Sequence, residues 1–239
     1  SPKSLLDLVR EKFAVHAGTA VTFATSTVIG GDVGAGSAIT CGYSLAEGEV
    51  ASTVDLATLT ADITEVLATA MAPRDNVTDI LLPEIGDLTF TPGTWHAGAI
   101  TIAAGKTVTL DGGGDPDSNF LIQASTTMNV GAGCHIVLIN GAQAENVNWF
   151  MGSTLTVGAD AIFEGSIVAE TAIVFGARTV IRGNIVAGSA ITFGATTLVD
   201  GSVVAKTAIT FGTTTQVNGS VVAVTAITFG TFNHVTVPA

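Results

Sequence analysis

The chain has 239 residues, a mass of 24.0 kDa and 20 acidic against 8 basic residues, which gives a formal net charge of −12. Hydrophobic residues make up 47% and charged residues only 12%, so the composition excludes a disordered chain, and the acidity argues against a binder of nucleic-acid phosphates. Thr, Ser and Gly interrupt the apolar runs before they reach the roughly 18 residues of a membrane span. We therefore expect neither a nucleic acid nor a membrane as partner.

The N-terminal part of the chain alternates between two kinds of predicted element. Ser4–Ala14 carries its apolar residues on one side and predicts a short helix. Gly31–Gly42 (GDVGAGSAITCG) is the first copy of a β pattern that recurs near the C-terminus. Over Thr53–Ala72 the apolar residues return to helical spacing, with the first residue or Ser52 as the N-cap and Pro73 as the stop. A long helix is thus inserted between the first rung and the rest.

The C-terminal third is an internal repeat without insertions. Four blocks of 18 residues follow one another from Gly165 to residue 236, and each begins with Gly-Ser or Gly-Asn. Eighteen residues suit one turn of a β-solenoid with three short strands, whereas helical repeats need about 33 residues or more. Val, Ile, Thr and Phe favour strands, and recurrent Gly marks corners. Looser copies of the pattern precede the blocks, at Ala97–Ile102, Ser125–Gly131 and Gly152–Gly158.

These copies predict eight rungs, with loops between the early ones at Asp111–Ser118 and Asn140–Asn148. The predicted fold is mostly β: a three-faced β-helix, or solenoid, of about 18 residues per coil. It forms a single domain over residues 1–239, with four regular coils over 165–236 and the inserted α-helix over 53–72 packed along one face.

Alternation of side chains along a strand assigns a direction to each block position. On the second strand, one Ile and one Phe per block point inward and form ladders that need no cofactor. The first strand is apolar on both sides, so its outward valines need a cover, and only the long helix can supply it. The third strand varies in size and charge, as a solvated face does. The outward valines are Val168, Val186, Val204 and Val222, and the third-face residues are Arg178, Arg182, Leu198, Asp200, Gln216, Asn218 and His234.

The outward side of the second strand differs from both other faces, because it carries no charge in any of the eight rungs. It shows mainly Ala and Thr, often with a further Thr or Ser at the corner before the strand. β-branched Thr is stiff at χ1, so such a surface is preorganised and loses little entropy on docking. At about 4.8 Å per rung it would be roughly 35 Å long. The candidate binding residues are Thr40, Thr101, Thr127, Thr154, Thr156, Ala172, Ser189, Ala190, Thr192, Thr207, Ala208, Thr210, Thr225, Ala226 and Thr228.

This face lacks a carboxylate pair, a basic patch and an aromatic platform, which argues against acid–base catalysis, phosphate binding and stacking on sugars or bases. A rigid, flat array of methyls beside hydroxyls can order its first layer of water with repeats comparable to those of ice. Thr and Ala also suit exposed strands for structural reasons alone, and for one rung that explanation would suffice. Over eight rungs, with different chemistry on the other two faces, the pattern favours an ice surface as the partner.

Five motifs follow one another along the chain. They are FAVHAGTAVT at Phe13–Thr22, GDVG at Gly31–Gly34, LTFTPGTW at Leu88–Trp95, LDGGGDPDSNFLIQ at Leu110–Gln123 and LINGAQAENVNWFMGS at Leu138–Ser153. In this order they resemble the microbial ice-binding protein family, and the resemblance covers most of the chain. It implies an irregular three-sided β-solenoid with a long helix alongside. It also implies an antifreeze protein that adsorbs to ice, shapes it and inhibits its growth and recrystallisation.

The family's ice motif, T-A/G-x-T/N, is matched by Thr207–Thr210 and Thr225–Thr228, and in part by Ser189–Thr192 and Thr171–Val174. The resemblance implies that these segments contact ice. Some relatives have a Cys where Glu145 stands, so their disulfide is not carried over to this chain.

The two cysteines and the N-terminal residues are the parts of the sequence that bear on whether the protein is secreted or cytosolic. Cys41 and Cys134 leave two alternatives open, one disulfide or two buried thiols. No signal peptide is visible at the start, where a mature secreted chain and a cytosolic chain would look alike. We expect a secreted, extracellular protein whose signal peptide has been removed.

The residues present also argue against a metal site and against two classes of enzyme. The Asp111–Asp117 loop lacks the Gly and distal Glu of an EF-hand, and His16, His96, His135 and His234 are too scattered for a zinc site. Thr at the third hexapeptide position argues against an acyltransferase, and the repeat face lacks the Asp and Arg clusters of a pectin-lyase-like enzyme. We expect no metal, no cofactor and no enzymatic activity.

The alternative function is a structural solenoid that polymerises end to end, or an adhesin-type module without ice affinity. Polymerising solenoids expose their terminal rungs. Here the segment Val235–Ala239 ends in Val-Pro-Ala, and the N-terminal helix could cap the other end, which favours a monomer.

Overall fold

The computed structural model describes residues 13–40, 43–47, 50–51, 56–70, 72, 74 and 76–237. In these ranges the chain forms three parallel β-sheets and one α-helix, and in a regular coil it passes from sheet A to sheet B to sheet C before the next coil begins. This is the three-faced β-helix that the repeat predicts. The helix, α1, spans Leu56–Ala70.

The strands stack in a fixed order, starting at the end formed by N-terminal residues. Sheet A contains Val50–Ala51, Asp32–Ala35, Phe13–Ala17, Val221–Ala223, Val203–Ala205, Ile185–Ala187, Ser166–Ala169, Val147–Met151, Phe120–Ala124, Gly93–Ala97 and Val77–Asp79. Sheet B contains Ala38–Thr40, Ala20–Phe23, Ala226–Phe229, Ala208–Phe211, Ile191–Phe193, Ile173–Phe175, Leu155–Val157, Met128–Val130 and Ile100–Ile102. Sheet C contains Tyr43–Glu47, Thr27–Gly30, His234–Thr236, Gln216–Asn218, Leu198–Asp200, Val180–Arg182, Ile162–Glu164, His135–Ile139, Thr107–Asp111 and Thr89–Phe90.

Two ladders on sheet B fill the interior, as predicted. The isoleucines are 0% exposed and the phenylalanines 2% exposed. Rings in neighbouring coils stack nearly parallel, with centroids 4.8 to 5.1 Å apart. The 18-residue period places identical side chains on top of one another, so the core repeats from coil to coil. The ladder residues are Ile173, Ile191, Ile209, Ile227, Phe175, Phe193, Phe211 and Phe229.

Helix α1 lies along the outward side of sheet A and covers the valines there. Ile63, Val66 and Ala70 of the helix are buried in one cluster with Phe150 and the four valines. Burying a valine side chain is worth roughly 1.5–3 kcal/mol, so this contact holds the helix in place. The prediction that the long helix covers this face is confirmed by the exposed fractions of 1% for Val168, Val186 and Val204 and 8% for Val222.

Beyond Phe150, the same outward column of sheet A becomes polar. Gln123, His96 and Asp79 continue it in register, one per coil. The side chain of Asp79 is 75% exposed. The change from valine to polar residues therefore falls where the apolar contact with the helix stops.

The coils do not stack in the order of the sequence. Phe13–Ala17 pairs on one side with Val221–Ala223 of the last coil and on the other side with Asp32–Ala35. The N-terminal coils thus extend the stack beyond the C-terminal coil, and the chain continues through α1 to the coils that begin at Val77. The prediction that the segment from Val235 onward closes one end is wrong, because Ile29 pairs directly with Val235.

Two predicted helix boundaries need correction. Phe13–Ala17 is a strand, so the predicted N-terminal helix does not extend to Ala14; residues 1–12 lie outside the described ranges. Helix α1 ends at Ala70 rather than Ala72. Its proposed N-cap and Pro73 also lie outside the described residues.

Each regular coil turns from sheet B to sheet C through a residue with a left-handed backbone. The φ angles are 57° at Arg178, 61° at Thr196 and 59° at Thr214, although none of these residues is glycine. The residue that follows the left-handed one is buried, as at Thr197, whose Oγ1 donates a hydrogen bond to the carbonyl of Gly194 at 2.9 Å. The buried hydroxyl thus closes the turn.

Candidate functional site

The outward side of sheet B carries two parallel rows of side chains, one per coil in each row. The pairing register places Thr192, Thr210 and Thr228 next to one another in the second row. The first row lies two residues earlier along each strand, and a corner row precedes it by one residue. Nine strands at about 4.8 Å spacing give rows roughly 38 Å long.

The structure brings all the predicted site residues onto this one face. The corner row contains Ser189, Thr207 and Thr225; the first row contains Thr127, Thr154, Ala172, Ala190, Ala208 and Ala226; and the second row contains Thr40, Thr101, Thr156, Thr192, Thr210 and Thr228. In the second row, all of these are exposed except Thr101, which is half-buried. Their role in binding stays a prediction.

One rung of the face is missing from the sequence-based prediction. Ala20–Phe23 pairs with Ala226–Phe229 on one side and with Ala38–Thr40 on the other. It adds Ala20 to the first row and Thr22 to the second. The signal is in the sequence, because TAVT at residues 19–22 differs from TAIT at residues 207–210 only by Val in place of Ile. No 18-residue block surrounds this segment, so the repeat alone does not predict the rung.

Hydroxyls in the corner row tie neighbouring coils together. Thr225 Oγ1 donates to the carbonyl of Thr207 at 2.6 Å, and Thr19 Oγ1 donates to the carbonyl of Thr225 at 2.8 Å. Ser37 Oγ donates to the carbonyl of Thr19 at 2.7 Å. These bonds fix the side-chain rotamers, so the corner row is held in register with the backbone.

Charge is distributed unevenly between sheets B and C. Among the described residues, neither outward row of sheet B contains a charged side chain. On sheet C, Arg182 pairs with Glu164 and lies 4.0 Å from Asp200. At the adjoining corner Arg178 binds Asp160 at 2.6 Å, and this hydrogen bond holds the pKa of the Asp160 carboxyl below its usual value.

One end of sheet B is closed by a short segment with a carboxylate. Glu84 forms an isolated parallel bridge with Thr101. Its Oε1 accepts hydrogen bonds from the backbone N–H groups of Gly86 at 2.8 Å and Ala103 at 3.1 Å. The edge of the last strand is therefore covered, and the charge lies at the boundary of the neutral rows.

A hydrogen-bonded chain on sheet A has the composition of a catalytic triad. His96 Nε2 lies 2.7 Å from Ser125 Oγ, and His96 Nδ1 lies 3.2 Å from Asp79 Oδ1. Acyl transfer also needs backbone N–H groups that stabilise an oxyanion. The N–H of Ser125 donates to Ala97 and that of Thr126 to Gly98, so these amides are already engaged. The hydrogen bonds among Asp79, His96 and Ser125 are therefore polar contacts between coils.

Two further reactive side chains, Cys134 and His16, are buried. Cys134 is a buried free thiol whose Sγ donates to the carbonyl of Ala103 at 3.0 Å, and Cys41 lies outside the described residues. Burial lowers the pKa of His16. In the part of the chain that the structure describes, no three His, Cys, Asp or Glu side chains meet as metal ligands. Among the described residues, no helix is long and apolar enough to cross a bilayer.

Fold and face together define a class of protein: a β-solenoid with one helix-covered face, one charged face and one flat, neutral face of Thr and Ala. The family model described as "Ice-binding-like" matches residues 15–193, which is more than half of the chain. The chain belongs to this ice-binding-like family.

Individual relatives agree with this assignment. An ice-binding protein from Flavobacterium frigoris (strain PS1) is 30% identical over 190 residues, which cover 70% of this chain and 67% of that protein. Ice-binding protein 1 of Shewanella frigidimarina (strain NCIMB 400) is 41% identical over 103 residues, but these are only 11% of that protein. The crystal structure of an ice-binding protein from the Antarctic ascomycete Antarctomyces psychrotrophicus superposes with a TM-score of 0.54 at 27% identity, over 95% of each chain.

Proposed function

We propose that this chain is an ice-binding antifreeze protein, and that it adsorbs to ice through the outward rows of sheet B. The observation that carries the proposal is the contrast between faces of the same coils. A helix covers the outward valines of sheet A and charged residues of sheet C pair with one another, whereas sheet B leaves a neutral array of Thr and Ala exposed. The family and its relatives support the same function.

The second row has the properties that an ordered water layer requires. Within the described residues, the hydroxyls of Thr192, Thr210 and Thr228 have no hydrogen-bond partner in the protein, so they are available to water. Their χ1 angles are restricted by β-branching. Because no ionised group lies in these rows, docking to a solid surface does not require the free energy of removing a charge from water.

The same proposal includes the oligomeric state and the location of the protein. We propose one domain over residues 1–239 that acts as an extracellular monomer, without catalysis and without a nucleic acid or membrane as partner. One contact favours a monomer over an end-to-end polymer. The segment around Glu84 covers the edge of sheet B at Thr101.

The test is to watch single ice crystals in solutions of the protein and to measure thermal hysteresis. Thr210→Tyr places a ring above the neighbouring rungs, so we expect hysteresis to fall sharply while the melting temperature of the protein is kept. Thr210→Val keeps the shape and removes one hydroxyl, so it should do far less damage. Gln216→Tyr on sheet C is the matched control and should leave activity intact. Loss of ice shaping in Gln216→Tyr but not in Thr210→Tyr would place the site on sheet C.

A further inference from the structure

The neutral face is not uniform along its length. In five consecutive rungs the first row is Ala and the second row is Thr, and each corner residue is Ser or Thr. These rungs carry Ala38 with Thr40, Ala20 with Thr22, Ala226 with Thr228, Ala208 with Thr210 and Ala190 with Thr192. We call this the matched patch. Its four intervals span about 19 Å.

Each of the other four rungs departs from this pattern in the first row, in the second row or at the corner, where Gly98 stands before Ala99 and Thr101. Val174 and Asn129 replace Thr in the second row, and Val174 is 43% exposed. Thr154 and Thr127 replace Ala in the first row. In the matched patch, small alanines form a shallow trough between two rows of hydroxyls, whereas the larger Thr154 and Thr127 fill that trough in two of the other rungs. A water lattice that fits the patch is therefore interrupted outside it.

The matched patch is built across a seam between distant parts of the chain. Ala20–Phe23 and Ala38–Thr40 come from the N-terminal segment, and the other three rungs come from the last coils. At the seam the strands pair without a shift, with Ala20 opposite Ala226 and Thr22 opposite Thr228. The hydrogen bond from Thr19 Oγ1 to Thr225 joins residues 206 positions apart. Below it, Phe23 stacks on Phe229 at 5.1 Å.

We infer that the ice-docking surface is this composite patch, with Thr22 and Ala20 near its centre rather than at its margin. The inference rests on the proposed function of sheet B. Because only five rungs have the trough and both hydroxyl rows in register, they alone present one continuous lattice. The N-terminal segment then supplies two of the five rungs, so its docking on the last coil completes the binding surface.

The experiment compares three tyrosine variants in the full chain by thermal hysteresis, with melting curves to show that each one folds. Thr210→Tyr lies on the C-terminal side of the seam, Thr22→Tyr lies on the N-terminal side, and Asn129→Tyr lies in the unmatched rungs of the same row. We expect Thr22→Tyr to lose most of the activity, as Thr210→Tyr does, and Asn129→Tyr to retain most of it.

The other outcomes separate the inference from the proposed function. If the unmodified protein shows no hysteresis and does not shape ice, the proposed function itself fails. If Thr210→Tyr loses activity and Thr22→Tyr keeps it, the site stops at the last coil and the composite patch is wrong. If Asn129→Tyr loses as much activity as Thr22→Tyr, the whole face is used and the division into matched and unmatched rungs is wrong.

Discussion

Sheets B and C are made by the same coils, from strands of similar length and parallel pairing, yet their outward side chains behave in opposite ways. On sheet C, neighbouring rungs bind one another, since Arg182 pairs with Glu164 and Asn218 donates to Asp200. In the second row of sheet B, the threonines lie in register without bonding one another among the described residues. A solenoid can thus leave one face free for an external partner, while the polar and charged side chains of another face bind one another.

The difference shows that exposure alone does not define the candidate site. Both faces are solvated, and both tolerate polar residues. Of the two, only sheet B repeats outward side chains of the same size and neutral charge over several consecutive rungs, and that regularity is of use only to a partner that is itself regular. The comparison can be tested by substitutions that treat the faces differently.

The largest effect is expected when one charge is placed on two faces in turn. Val204→Asp puts a carboxylate under helix α1, where the valine is 1% exposed, so the free energy of unfolding should fall by at least about 3 kcal/mol. Thr210→Asp puts the same group on open sheet B and should cost little stability while abolishing ice shaping. Urea denaturation and hysteresis measure the two results. Near-wild-type stability of Val204→Asp would show that the helix does not seal sheet A.

An effect on stability without a counterpart in ice binding is expected in the core that sheets B and C share. The Phe211 ring stacks between Phe193 at 4.9 Å and Phe229 at 4.8 Å. Phe211→Ala should lower the free energy of unfolding by about 3–5 kcal/mol because the rigid ladder cannot close the cavity. Calorimetry should show a melting temperature lower by roughly 6–20 °C for a domain of this size. A shift of only about one degree would contradict an interior position for this ring.

Much of the fold follows from the sequence because the period is strict. With 18 residues per coil, the position of Phe193 in one block fixes the direction of Phe211 in the next, and alternation does the rest. The outward valines of sheet A also required a cover, and α1 was the longer of the two predicted amphipathic helices. These are local rules, and they held over the regular coils.

The stacking partner of the N-terminal coils could not be predicted in the same way. Ladder residues are nearly identical in every coil, so Val21 fits on Ile227 as well as Ile227 fits on Ile209. Periodicity states that coils stack but does not state which coil meets which. The choice depends on where helix α1 returns the chain, which is a property of the whole fold. For the same reason the central position of Thr22 is visible only in the structure.

The left-handed backbone of the corner residues could not be predicted from the sequence either. The smallest expected effect concerns one of them. Thr196 joins sheet B to sheet C with φ of 61°, a conformation that costs a β-branched residue about 1–2 kcal/mol. Thr196→Gly removes this strain, while the greater freedom of glycine in the unfolded chain costs roughly 0.5–1 kcal/mol. The net expectation is a gain of about 0.5–1 kcal/mol in the free energy of unfolding, with hysteresis unchanged because Thr196 lies outside the outward rows of sheet B.

The matched control is the next residue in the chain. Thr197 is 1% exposed and its Oγ1 donates to the carbonyl of Gly194 at 2.9 Å. Thr197→Gly removes that buried bond and adds backbone freedom, so the free energy of unfolding should fall by about 1–3 kcal/mol. Denaturant melts of the two variants therefore move in opposite directions from the unmodified protein. If Thr196→Gly were destabilising as well, the side chain of Thr196 would hold the corner, and the left-handed turn would be a stabilised feature rather than a strained one.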